Sequence, residues 1–139
     1  GHSLTRRMSQ DRPRIAVIDD EEAVRKALGR LLLSAGLAVE TFAGRRAFLA
    51  SLAVHRPDCA VLDLHMPDMT GFDVLARLAQ LHAGVPVIVI TGHDSPDAEE
   101  SALRLGAAAY LRKPFNDRLL LDSIFAVLTP PAIDRPEAS

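Results

Sequence analysis

Aromatic residues are scarce in this chain of 139 residues: tryptophan is absent and tyrosine occurs once, while nearly half the residues are apolar, so any core is mainly aliphatic. A marked basic excess is also missing. The net charge is -2, which argues against a nucleic-acid footprint on this segment. Cysteine occurs only at Cys59, so no intrachain disulfide can form and a reducing compartment is implied. Placed just inside an apolar stretch, Cys59 reads as an inert, small buried residue. No apolar run approaches the roughly 18 residues that span a bilayer. The basic N-terminus lacks the apolar centre of a secretory signal. A cytoplasmic domain with no membrane contact is therefore expected. Lysine is rare too, found only at Lys26 and Lys113, so each stands out against the arginines.

What is present is organised around Val61-Leu62-Asp63-Leu64-His65-Met66-Pro67. It reads as a buried strand ending on an acid, followed by a loop that proline keeps out of a helix. Three other stretches share that form. Ile15 to Ile18 runs into Asp19-Asp20, Pro86 to Ile90 into Thr91-Gly92, and Ala108 to Leu111 towards Lys113-Pro114-Phe115. In an open parallel α/β sheet, ligands sit beyond the carboxyl ends of the strands where the strand order reverses. The four tails should therefore share one crevice holding three carboxylates, a hydroxyl and an ammonium.

In chain order, residues 1–12 are polar and aperiodic. Their opening Gly1-His2-Ser3-Leu4, ahead of Met8, resembles a cloning remnant, so they are set apart as a disordered or tag segment. The domain proper is expected over residues 13–128. Its first strand, Arg14 to Ile18, feeds Asp19-Asp20-Glu21-Glu22, where negative charge suits a helix start. Val24, Leu28, Leu31, Leu32 and Ala35 then recur at helical spacing, and Gly36 closes the helix. A second strand is expected over Leu37 to Phe42 and a second helix over Gly44 to Leu52, with Phe48, Leu49 and Leu52 inward. Strand three, Cys59 to Leu62, leads through the turn formers Pro67, Asp68, Thr70 and Gly71 into a helix that buries Val74, Leu75 and Leu78.

Strand four is expected over Val85 to Ile90, its unbroken apolar run marking a central parallel strand. A helix entered at Ser95-Pro96-Asp97 should face Ala98, Ala102 and Leu105 inward and end at Gly106. Strand five spans about Ala107 to Leu111. A last helix, about Asn116 to Leu128, buries Leu120, Ile124 and Val127. Residues 129–139, rich in proline, have the composition of a linker or tail. Five alternations of strand and helix imply a parallel sheet with helices on both faces.

The acid pair after strand one, Asp63-Leu64-His65-Met66-Pro67-Asp68-Met69-Thr70-Gly71, Thr91-Gly92, and Gly106 through Lys113-Pro114-Phe115 together resemble the receiver domain of two-component response regulators. The likeness covers about residues 14 to 128, with each landmark in order. It implies a flavodoxin-like (βα)5 fold with a sheet of order 2-1-3-4-5. It also implies that Asp63 is the phosphoacceptor and that Asp20 and Asp63 bind Mg²⁺ directly together with the backbone carbonyl of His65. Asp19 would act mainly through water, and Mn²⁺ would substitute for Mg²⁺. Thr91 and Lys113 would contact phosphoryl oxygens beside Gly92, Tyr110 would be the aromatic switch residue, and the Lys113-Pro114 bond would be cis. Details around Val24 to Leu28 and Thr91-Gly92-His93 resemble the FixJ/NarL branch, whose members carry a C-terminal DNA-binding domain. By that resemblance the partner is a sensor histidine kinase, the phosphorylated form is a homodimer, and DNA is reached only through an output domain outside this chain.

The residue types suit that chemistry independently. Phosphoryl transfer asks a protein mainly to position groups and neutralise charge. Crowded carboxylates favour a hard divalent cation. Lys113 adds a compact ammonium, and Thr91 a hydroxyl donor. His65 and His93, each two residues beyond a site residue, are candidates for tuning dephosphorylation. By the resemblance, the domain is expected to be a signalling module that catalyses its own phosphorylation rather than a turnover enzyme. A free-standing receiver acting by protein contacts, or a phosphorylation-independent one, is the alternative. A flavin carrier is disfavoured because Asp19 to Glu22 would repel its phosphate. An aspartate-nucleophile phosphatase wants an acid where His65 stands.

Overall fold

The computed structural model describes residues 12–65, 70–92 and 96–128. Strand β1 (Arg14–Ile18) is followed by helix α1 (Glu22–Ser34), β2 (Ala38–Phe42), α2 (Arg45–Ser51) and β3 (Cys59–Asp63). Then come α3 (Gly71–Gln80), β4 (Val87–Thr91), α4 (Ala98–Arg104), β5 (Ala109–Arg112) and α5 (Asp117–Leu128). All strand pairs are parallel and the order is β2-β1-β3-β4-β5, the flavodoxin-like arrangement expected. The segments 1–11 and 129–139 lie outside the described residues, as do the loop positions 66–69 and 93–95, including His93.

Alternation along the strands sorts the core into two layers. Ala16, Ile18, Ala60, Leu62, Val87, Val89 and Tyr110 face one way and meet Phe48, Val74, Leu75, Ala98 and Ala102 from α2, α3 and α4. Ile15, Val17, Cys59, Val61, Ile88, Ile90 and Leu111 face the other way, onto Leu28 and Leu32 of α1 and Leu120 and Ile124 of α5. Because β3 and β4 are buried along their whole length, they must be nearly all apolar, as their sequences are. Each wholly buried Leu or Ile contributes about 1.5–3 kcal/mol relative to exposure.

Helix α1 ends as its glycine requires. Gly36 takes φ 89°, Leu37 N–H donates to the Leu32 carbonyl at 3.1 Å and Gly36 N–H to Leu33 at 3.0 Å, which closes the last turn. Some boundaries differ from the sequence reading. Strand β4 starts at Val87, and it extends one residue further to take in Thr91. Leu105 does not face inward: α4 stops at Arg104, and Leu105 lies in the turn beyond it, 37% exposed. Among the described residues no helix is long and apolar enough to cross a membrane.

Candidate functional site

The carboxyl ends of β1, β3, β4 and β5 bring the predicted residues together. Strand β1 runs out just before Asp19, whose N–H still donates to the Phe42 carbonyl of β2 at 3.1 Å. Asp63 is the last residue of β3, in register with Ile90, and Leu64 N–H continues that ladder to the Ile90 carbonyl at 2.9 Å. Thr91 ends β4 and is buried, while Lys113 follows β5 and its N–H is held by the Thr91 carbonyl at 2.7 Å. The Lys113-Pro114 peptide is cis, as expected.

The side chains converge. Carboxylate oxygens of Asp19, Asp20 and Asp63 all lie within 4.8 Å of one another. Lys113 Nζ donates to Asp19 Oδ2 at 3.2 Å and stands 4.0 Å from Asp63 Oδ2 and 3.9 Å from Glu21 Oε1. Asp19 is fully buried, and its other oxygen, Oδ1, accepts from Glu21 N–H at 2.9 Å. Asp63 Oδ1 accepts from His65 N–H at 3.2 Å. Asp20 is exposed. Asp20, Glu21, Asp63, His65, Gly92 and Lys113 line a cavity of about 230 Å³. Larger grooves of about 580 and 400 Å³ lie elsewhere, against α1 with β2 and below α3, and contain none of the acid triad.

Electrostatics make this cluster unusual. Burial first, then the charge of Asp19, pushes the Asp63 carboxyl up from 3.8 to about 6; Lys113 and the His65 N–H pull it down, and Asp20 adds a smaller push. Three acids facing one ammonium leave a net negative hole. Closely set carboxylates of this kind suit a hard, oxygen-seeking divalent cation. The residues present therefore fit such an ion.

Gly71 owes its place to a close approach. Its N–H bonds the Leu64 carbonyl at 2.7 Å, and a Cβ there would lie 2.9 Å from Leu64 Cα and 3.1 Å from the Asp63 carbonyl oxygen. The glycine, read from sequence as a turn former, thus lets α3 begin directly against the Asp63 peptide. Gly92 is less constrained, since a Cβ there would make ordinary contact with Lys113 Cδ at 3.7 Å.

Tyr110 is not at the triad. It is 7% exposed and packs with the small α4 residues Ala98 and Ala102, beneath Arg112, whose Cζ lies 5.2 Å from its ring centroid. Arg112 also donates to Glu99 of α4 at 2.7 Å and is the register partner of Thr91. Sequence reading missed three partners: Glu21 near Lys113, the Glu99–Arg112 pair, and Arg25, whose Nη1 donates to the Asp19 carbonyl at 2.8 Å. Arg25 alone carried a signal, standing six residues after Asp19 in the first turns of α1.

A 2-1-3-4-5 sheet with acids and a lysine at its carboxyl edge defines a doubly wound domain whose crevice holds charge. The response regulator receiver domain family matches residues 15–125, and the chain belongs to it. It is a receiver domain of two-component response regulators. Among curated relatives, transcriptional regulatory protein FixJ of Rhizobium meliloti is 39% identical over 110 residues, covering 79% of this chain and 54% of its own length. Response regulator protein TodT of Pseudomonas putida is 37% identical over 123 residues, covering 88% and 54%. The chain thus spans about half the length of both. The crystal structure of a response regulator receiver protein from Burkholderia phymatum aligns with a TM-score of 0.76 and 46% identity, over 84% of this chain and 95% of that one.

Proposed function

We propose that Asp63 is the phosphoacceptor of this receiver and takes a phosphoryl group from the phosphohistidine of a sensor histidine kinase. A carboxylate oxygen of Asp63 forms the new O–P bond while the P–N bond to the histidine breaks, the electron pair leaving with the imidazole. Asp20, Asp63 and the His65 carbonyl would hold Mg²⁺, or Mn²⁺ in its place, with Asp19 acting from behind them. The ion would supply positive charge against the carboxylates and the phosphoryl oxygens. Lys113, now between Asp19 and Asp63, is the ammonium that turns to the phosphoryl group. Thr91 offers its hydroxyl, and Gly92 keeps that side of the cavity open. His65, at the rim, and His93 set the rate of water attack on the acyl phosphate.

The observation that carries this reading is the convergence of Asp19, Asp20, Asp63 and Lys113 on one small cavity at the carboxyl edge of the sheet. Phosphorylation adds about one to two negative charges, which draw Thr91 inward and alter the packing of Tyr110. The surface formed by α4, β5 and α5 then rearranges and recruits a partner, a second copy of the domain among them. Contact with DNA would come through a further domain, a reading supported by the relative FixJ, which is named a transcriptional regulatory protein and of which this chain covers 54%. The site of action is the cytoplasm.

The experiment is incubation with acetyl phosphate, with and without Mg²⁺, followed by intact mass of wild type and Asp63→Ala. A Mg²⁺-dependent phosphoryl adduct on wild type alone is the expected result. An adduct that persists in Asp63→Ala would overturn the assignment.

A further inference from the structure

The acidic turn between β1 and α1 is held by a residue that the phosphoryl chemistry does not use. Asp19 lies past the last register pair of β1, and although its N–H still donates to Phe42, no backbone N–H among the described residues donates to its carbonyl. The Glu21 N–H is already committed to the Asp19 carboxylate at 2.9 Å. The Arg25 guanidinium reaches back six residues and meets that carbonyl at 2.8 Å in a partly buried position. Its own backbone is anchored, since Arg25 N–H donates to the Glu21 carbonyl at 3.1 Å. The side chain therefore starts from a fixed point on α1 and ends on the peptide that joins Asp19 to Asp20. Arginine suits the task because its planar, permanently charged fork loses little freedom per bond formed.

We propose that Arg25 is a positioning residue: by holding the Asp19 carbonyl it fixes the Asp19-Asp20 peptide and keeps both carboxylates converged on Asp63. This rests on the reading of the triad as a divalent-cation site. The inference has a distinctive sign. Removing a cation beside an acidic cluster should by charge alone tighten the binding of Mg²⁺. Lys26, one residue along and paired at 3.2 Å with Glu22 on the exposed face of α1, is the control for charge. Releasing the turn does the opposite, because the carboxylates splay and must be gathered again on binding.

Mg²⁺ binding to the whole chain is measured by calorimetry, and Mn²⁺ binding by electron paramagnetic resonance, for wild type, Arg25→Met, Arg25→Lys and Lys26→Gln. Arg25→Met is expected to weaken both ions about fivefold, the equivalent of a single lost hydrogen bond, whereas Lys26→Gln leaves affinity unchanged or tighter. Arg25→Lys, able to donate to the same carbonyl, should recover most of the loss. If Arg25→Met fails to fold, Arg25→Gln takes its place with the same thresholds. Wild-type binding matched or exceeded by Arg25→Met, or by Arg25→Gln in its place, overturns the positioning role alone. Wild type that binds neither ion overturns the cation-site reading and this inference with it.

Discussion

Replacing the proposed phosphoacceptor should make the fold more stable, and the gain should depend on pH. Asp63 is 4% exposed and shares its surroundings with Asp19 and Asp20, so its carboxyl is raised from 3.8 to about 6. A carboxyl that holds its proton more tightly folded than unfolded contributes nothing unfavourable below the unfolded value. As pH rises between 3.8 and about 6, the unfolded chain ionises first and stability falls. Above that window the full cost, at most about 3 kcal/mol, is present. Asp63→Asn removes the charge while its side-chain oxygen can still accept from the His65 N–H. The attraction of Lys113 is already contained in the raised value, so a net gain of about 2–3 kcal/mol at pH 8 is expected, or a Tm higher by about 6–10 °C. At pH 4.5 the gain should shrink to about a third, because most Asp63 is then protonated in the folded wild type. Urea denaturation of both proteins at the two pH values, in chelator, measures this directly. Equal stability at pH 8, or the same gain at both pH values, would refute the argument that buried charge crowding sets the cost.

Two further expectations concern the scaffold. Gly71→Ala should destabilise by about 2–4 kcal/mol, because the added Cβ meets backbone atoms of Leu64 and Asp63 that cannot rotate away; a urea midpoint unchanged from wild type would contradict it. Cys59 is wholly buried and its thiol is pushed up to about 12 by that burial, so at pH 8 it should react with an aromatic disulfide only as fast as the fold opens. Stoichiometric labelling within the mixing time, without denaturant, would show the thiol to be accessible.

The strands were legible because parallel strands covered on both faces must be apolar throughout, and Val61 to Leu62 and Val87 to Ile90 are. Their order was not: periodicity gives five units and a parallel sheet, and the sequence 2-1-3-4-5 came only from the family likeness. Thr91 was read as the first loop residue because it is polar, yet it is β-branched, pairs with Arg112 and is buried at the strand end. Leu105 kept the helical period past the point where the helix stops, and pattern alone has no means of marking that stop at Arg104, two residues before Gly106. Arg45 gave no signal at all. It is 7% exposed at the start of α2, and its Nε has no hydrogen-bond partner among the described residues.

Asp19 and Asp20 are adjacent and chemically alike, so sequence alone treats them as a pair, but their surroundings divide the work. The N–H of Asp19 is tied to Phe42, its carbonyl to Arg25, and its carboxylate to Glu21 and Lys113. Asp20 is exposed. A cation or phosphoryl group arriving at Asp63 can recruit Asp20 without breaking any of those bonds, but it gains Lys113 only if that ammonium leaves Asp19. Withdrawing Lys113 leaves a wholly buried carboxylate beside two others, a cost that another positive charge in the crevice can offset. On the proposed reading, cation binding and lysine release would be coupled through Asp19, the more deeply buried acid of the pair and the one held by Glu21 and Lys113.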